Sequence, residues 1–301
     1  MREEEDLWRN ILPRLALTYD FLLEGLFAIS ALDIVASAIC ADPSPFIHMA
    51  LESYHKSSAM FRQRLVEITP EHCHVFFACS VLVLAVNVLI PKYAPNALES
   101  ASAPLEAVQT FFGLSRGARQ VAIVFDDAFS QHLPYTEAVR KILQSPPAVV
   151  DEGEREAIRV LHNINDRLSE RGIGLSKSRK TRSSHEMYRS AIALLEIYYA
   201  EDCKGRVTGL CLSAPSKTGD DFTAAMDKSE PLAMLVLMHW AVVLERSSDR
   251  LWWTKSLGRG LIQQVSALLQ GSILWGLPDV PEHIAWVERQ VGLGFEDGKN
   301  V

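Results

Sequence analysis

PLAMLVLMHWAVVLE (residues 231–245), RSSDR (246–250) and LWWTKSLGRGLIQQVSALL (251–269) are the segments whose reading decides how this chain folds. The first reads as an apolar helix. The second is a polar break. The third reads as a helix that opens on the pair Trp252-Trp253. Two such helices, back to back, make one wall of a closed and mostly apolar pocket.

The remaining sequence reads the same way. Residues 6–39 are helical in pattern, with Pro13 allowing a bend and Asp33 either at the exposed edge or facing the pocket. Asp42-Pro43-Ser44-Pro45 is a break, and 46–68 is an amphipathic helix. Thr69-Pro70-Glu71 has the residue types of a helix start, ahead of a buried helix over 70–90 that Pro91 ends. Two short helices, 105–112 and 115–129, flank Gly113, and another covers 135–143. Residues 151–171 bury one stripe formed by Ile158, Leu161, Ile164 and Leu168. The tract 172–184 is a basic loop, 186–200 is helix, and 204–221 is a polar break. Ser229-Glu230-Pro231 caps the central helix, and a last helix covers 281–291 after a loop at 271–278. No segment alternates at period two, and no internal repeat is present. The expectation is an all-α protein: one domain over 1–301, an irregular bundle of about twelve helices enclosing a hydrophobic pocket.

Composition narrows the function. With 301 residues and 48% hydrophobic content, the chain has material for a large core. A formal charge of −7 opposes unaided nucleic-acid binding. Five scattered cysteines and an acidic N-terminal stretch fit a nuclear or cytoplasmic protein without disulfides. Residues 75–90 are shorter than the ~20 that a membrane span needs and carry Ser80 and Asn87, so a buried helix is expected there.

Familiar catalytic signatures are absent: there is no nucleophile elbow, phosphate loop, zinc-protease helix or dinucleotide fingerprint. Adjacent residues on a helix diverge by about 100°, so His72-Cys73-His74 cannot close on one metal ion. No cofactor is expected. His239 sits mid-helix beside Trp240, where an imidazolium is costly. It is either a bonded core histidine or a donor to a ligand oxygen. Asn87 poses the same choice. Phe76, Phe77, Ser80, His239, Trp240, Trp252, Trp253 and Trp275 are candidate lining residues for an oily ligand, and His239, Asn87 and Arg116 are candidate catalytic donors.

Several ordered segments resemble the effector domain of fungal zinc-cluster transcription regulators of the sterol-uptake-control type. They are LWRNILPRLALTYDFLLEGLFAISALDIVA (7–36), ALESYHKSSAMFRQRL (50–65), ITPEHCHVFFACSVL (68–82), FFGLSRGARQV (111–121), and the pair 231–245 and 251–262 quoted above. The resemblance implies an all-α fold, a sterol- or terpenoid-like lipophilic ligand, and a homodimer. The family's pattern has a histidine near Asp33 and a Gly-Trp pair where this chain has Ser256-Leu257. The six-cysteine DNA-binding segment of such regulators is not in this sequence. Two expectations follow: a ligand-sensing domain, or a fungal natural-product enzyme on the same fold that promotes a cyclisation or cycloaddition by positioning and hydrogen bonding.

Overall fold

A computed structural model describes residues 7–93, 104–124, 135–144, 150–171, 179–204, 207 and 209–294. These residues are all-helical, with twelve α-helices and no strand among them. Contacts divide the chain into two compact units, Met1–Ser102 with Thr110–Lys141, and Ala103–Gln109 with Ile142–Val301.

The first unit is built on α1 (Leu12–Ala16), α2 (Asp20–Ala36), α3 (Ser44–Arg64) and α4 (Cys73–Tyr93), followed by parts of α5 (Pro104–Val124) and α6 (Tyr135–Gln144). Its core is the junction of α2, α3 and α4. The ring of Phe21 lies 6.0 Å from Phe61 and 5.1 Å from Phe76, and Phe61 and Phe76 are 5.7 Å apart. Ser57 donates to the carbonyl of Phe21 at 2.7 Å, which satisfies that buried hydroxyl. At Gly25 a Cβ would stand 3.2 Å from Leu82 and 3.3 Å from Ser57 Oγ, which is why α2 needs a glycine to approach its neighbours. Asp33 is exposed, the first of its two expected placements.

Helix α4 is long and apolar enough to cross a bilayer, yet 61% of its most apolar window is buried inside the protein. The sequence misplaces both of its ends. The helix starts at Cys73 rather than Pro70, because the Thr69 hydroxyl lies 3.4 Å from His72 Nδ1 instead of capping a backbone amide. It also runs through Pro91 to Tyr93. A proline in a last turn removes only one bond near a frayed end, so it does not stop the helix there. Helix α5 is continuous through Gly113, where two helices were expected. The glycine is exposed with open space around it, and glycine costs a helix interior only about 1 kcal/mol.

The second unit is organised around α10 (Pro231–Arg246). Every residue from Leu232 to Leu244 is buried, as its all-round apolar sequence requires. Around it lie α7 (Glu152–Arg171), α8 (Arg179–Lys204), α9 (Ala214–Asp227), α11 (Leu257–Gln270) and α12 (Asp279–Gln290). Of the stripe predicted on α7, Ile158, Leu161 and Ile164 are buried and Leu168 is half-buried. Helix α11 buries Leu257, Leu261, Ile262, Val265 and Leu269 and exposes Arg259 and Gln263, a one-faced pattern. Gly258 sets the α10–α11 spacing: a Cβ there would stand 2.4 Å from the carbonyl oxygen of Ala241.

Four expectations are corrected here. Residues 179–184, expected in the basic loop, open α8. The expected polar break at 204–221 contains the start of α9, which has proline in its first turn and a kink at Gly219 (φ 84°) that glycine alone accommodates readily. Trp252 and Trp253 lie in a separate 3-10 turn, Trp252–Thr254, ahead of α11 rather than opening it. Glu230 makes no side-chain cap on α10; its Oε2 instead accepts a 2.7 Å hydrogen bond from the Tyr188 hydroxyl.

Candidate functional site

The second unit places a string of polar groups in its interior, and α10 carries two of its members. His239 is fully buried. Its Nδ1 lies 3.0 Å from the Tyr199 hydroxyl on α8, and its Nε2 lies 2.8 Å from Nε2 of His283 on α12. Two facing nitrogens at that distance share one hydrogen, so the rings form a neutral donor–acceptor pair. Trp286 stacks on both, with centroids 5.7 Å from His239 and 6.4 Å from His283. Burial holds the His239 imidazole well below the ordinary histidine range, with the neighbouring His283 adding to it. Burial likewise pushes His283 down to about 4, against the opposing pull of Asp279 and Glu156.

On the other side of Tyr199, the Arg246 guanidinium sits 5.6 Å above its ring. Arg246 donates to Glu154 Oε1 at 2.6 Å, to Asp202 Oδ2 at 3.4 Å and to Gln290 Oε1 at 2.7 Å. The path Glu154–Arg246–Tyr199–His239–His283 therefore ties together α7, α8, α10 and α12. Glu154 is buried, and its second oxygen has no hydrogen-bond partner. Leaving such an oxygen dry costs about 1–3 kcal/mol or more. The Asp202 carboxyl is raised from its ordinary value by burial, despite its bond to Arg246.

Arg246 also borders a cleft of about 260 Å³ where the ends of α8 and α10 meet the turn Leu210–Ser213. Among the described residues, Glu201, Asp202, Asp249 and Arg250 are the other charged groups that line it, with Tyr198, Cys211, Val243 and Ser247 in its floor and walls. Burial pushes the Cys211 thiol up to about 12 and the Tyr198 phenol upward as well, so both stay protonated at neutral pH. The Tyr198 hydroxyl is 3.1 Å from Ser213 Oγ, and Ser247 donates to the Val243 carbonyl at 2.9 Å.

The residues singled out from the sequence divide between the two units. In the first, Phe76 is part of the core, Phe77 is half-buried, and Ser80 donates back to the Phe76 carbonyl at 2.9 Å. Asn87 donates to the Val83 carbonyl at 2.7 Å and to Tyr54 Oη at 3.0 Å. The Arg116 side chain lies outside the described residues. In the second unit, Trp240 is buried and donates to the Cys211 carbonyl at 2.8 Å. Trp252 and Trp253 are half-buried in their turn, and Trp275 is half-buried in the turn Ile273–Gly276.

Sequence reasoning passed over Arg246, Asp202, Tyr199 and His283. One signal for them was present. In LLEIYYAED (194–202), Leu195, Tyr198, Tyr199 and Asp202 share one helix face, and a carboxylate on an otherwise buried face calls for a cation from elsewhere in the fold. Among the described residues, no three His, Cys, Asp or Glu side chains group in a way that could hold a metal ion. Compared with known proteins, the chain matches no family model, no curated protein and no solved structure.

Proposed function

We propose that the chain is a small-molecule-binding domain of the effector type, one that recognises its ligand without changing it, and that the cleft beside Arg246 receives that ligand. The observation that carries this reading is the cleft itself. It brings ionised side chains from two helices to a partly enclosed hollow, directly against a buried polar path that links four helices. A ligand touching Arg246 or Asp202 thus acts on groups that hold the unit together.

Binding without turnover fits the chemistry better than catalysis does. Both nitrogens of His239 are engaged by neighbours, so neither is left to donate to a reacting atom. The thiol and phenol at the cleft are kept protonated by burial, which removes the obvious nucleophiles. The reading as a cyclisation enzyme with His239, Asn87 and Arg116 as donors has less to draw on. The cleft is also small and charged beside the roughly 300–1,000 Å³, largely apolar pockets that enclose drug-sized ligands. A compact polar molecule, or the polar end of an amphipathic one, suits it better than a whole sterol.

The test is to incubate the full chain with a metabolite extract and analyse bound and free fractions by mass spectrometry. Ser247→Phe, which places a ring in the cleft, serves as the comparison. Retention of an unaltered compound by the parent protein, lost in Ser247→Phe, is the expected result. New products formed by the parent and not by the variant would replace binding with catalysis. Retention equal in both would remove the cleft from the account.

A further inference from the structure

Helix α12 is held to the second unit by an unusual share of polar contacts. It buries Val280, His283, Ile284 and Val287, so one of its four inward positions is an imidazole. That imidazole meets His239 of α10 end to end, Nε2 to Nε2 at 2.8 Å, with Trp286 stacked on both rings. Three ties surround this contact. Asp279 accepts from Arg167 of α7, Glu288 from Ser266 of α11 and Gln290 from Arg246 of α10, each at 2.7 Å.

An added proton puts a full charge inside the contact, and the surroundings do not offset it. Helix α8 presents the Tyr199 hydroxyl, which burial keeps protonated. Helix α10 presents Arg246, a like charge, on the far side of Tyr199. From α7, Glu154 is engaged by Arg246 and Glu156 by Arg159. The charged residue of α11, Arg259, donates to the carbonyl of Gly292, and the turn Ile273–Gly276 has no ionisable side chain. On α12 itself, Asp279 is shared with Arg167 and Glu288 with Ser266, while Glu282 and Arg289 are exposed. Glu156 and Asp279 draw a proton toward His283, and burial outweighs both, so the charged ring is better placed in water.

We infer that the His239–His283 contact is an acid-released latch: on protonation His283 leaves α10, and α12 swings out with it while α7, α8, α10 and α11 stay folded. Helix α12 is the last of the described helices and buries only three aliphatic side chains, so it can leave without dismantling another helix. Its departure uncovers part of the apolar surface of α10 and takes Gln290 from Arg246. The latch does not depend on what the cleft binds.

The experiment is hydrogen exchange of the full chain, read by mass spectrometry from about pH 7.5 to 5.0 and corrected for the pH dependence of exchange itself. Amides of α12 should exchange about 10-fold faster than those of α10, or more, because α12 opens alone. His283 moves from about 4 when latched to about 6.5 when released, which raises α12 opening about 20-fold between pH 7.0 and 5.0. The rise should begin near pH 6.5. His283→Gln should hold it below about 2-fold. Arg167→Gln, at a half-exposed tie, should speed α12 about 2- to 3-fold at every pH and leave the acid response intact.

Exchange of α12 at the rate of α10 would overturn the inference, since the opening would then be that of the whole unit. A flat profile down to pH 5, or a rise that begins only below about pH 4.5 where carboxylates titrate, would overturn it too. So would a full acid response in His283→Gln. Should that variant not fold, Arg167→Gln decides: α12 accelerated alone supports the latch, and α10 accelerated with it removes the latch.

Discussion

Acid should loosen the second unit well before it protonates ordinary carboxylates, and the buried imidazole pair sets how fast. In the folded chain His283 is held at about 4, and in the unfolded chain it returns to about 6.5. A base with a depressed folded value binds its proton more readily when unfolded. Its contribution is therefore intact above about pH 6.5 and is lost as pH falls toward 4. The loss is about 1.4 kcal/mol per pH unit, or roughly 3 kcal/mol over the whole window. His239, shifted in the same direction by its own burial, steepens the slope toward two protons. Urea unfolding at pH 7.0, 6.0 and 5.0, followed by tryptophan fluorescence, measures it. The signal is dominated by this unit, since five of the six tryptophans (Trp240, Trp252, Trp253, Trp275 and Trp286) lie in it. His283→Gln keeps an amide donor for His239 Nε2 but cannot titrate, so its slope should fall to about half that of the parent. A parent whose stability is flat between pH 7 and 5, or a variant with the parent's slope, would refute the buried neutral pair.

Further outcomes follow from single contacts. Gly258→Ala should destabilise the second unit by about 3 kcal/mol or more, because its methyl would meet the Ala241 carbonyl at 2.4 Å and backbone must move; a thermal melt reads this directly. Gly113→Ala should do the reverse, raising stability by about 0.5–1 kcal/mol, since the site is helical, exposed and empty. Arg246→Met should cost about 3–5 kcal/mol by leaving buried Glu154 without its cation, and adding Glu154→Leu should recover part of that loss in a double-mutant cycle.

Helical character was readable wherever apolar residues recur at helical spacing or fill every position, as in α10 and α4. Their burial needs no partner to be predicted, because no exposed arrangement of Leu232–Leu244 would be tolerated in water. What the sequence could not disclose were features decided by a distant residue. Gly113 looks like a break, but nothing near it demands one. Thr69 has the chemistry of a cap, but His72 takes its hydroxyl. The polar composition of 214–227 hid a helix whose buried Phe222, Thr223 and Met226 sit on one face. His239 was recognisable as an expensive residue in its setting. The groups that relieve that expense lie 40 and 44 positions away, and nothing local to the helix points to them.

The enclosure of α10 has a consequence for how this protein is made. Its greasy surface emerges from the ribosome before α11 and α12 exist, so the chain must carry thirteen consecutive core residues with two of their covering helices still unsynthesised. Nascent chains stalled before residue 257 should therefore recruit chaperones or aggregate. A stop codon anywhere between α10 and the end of α12 should be far more damaging than its distance from the cleft would suggest.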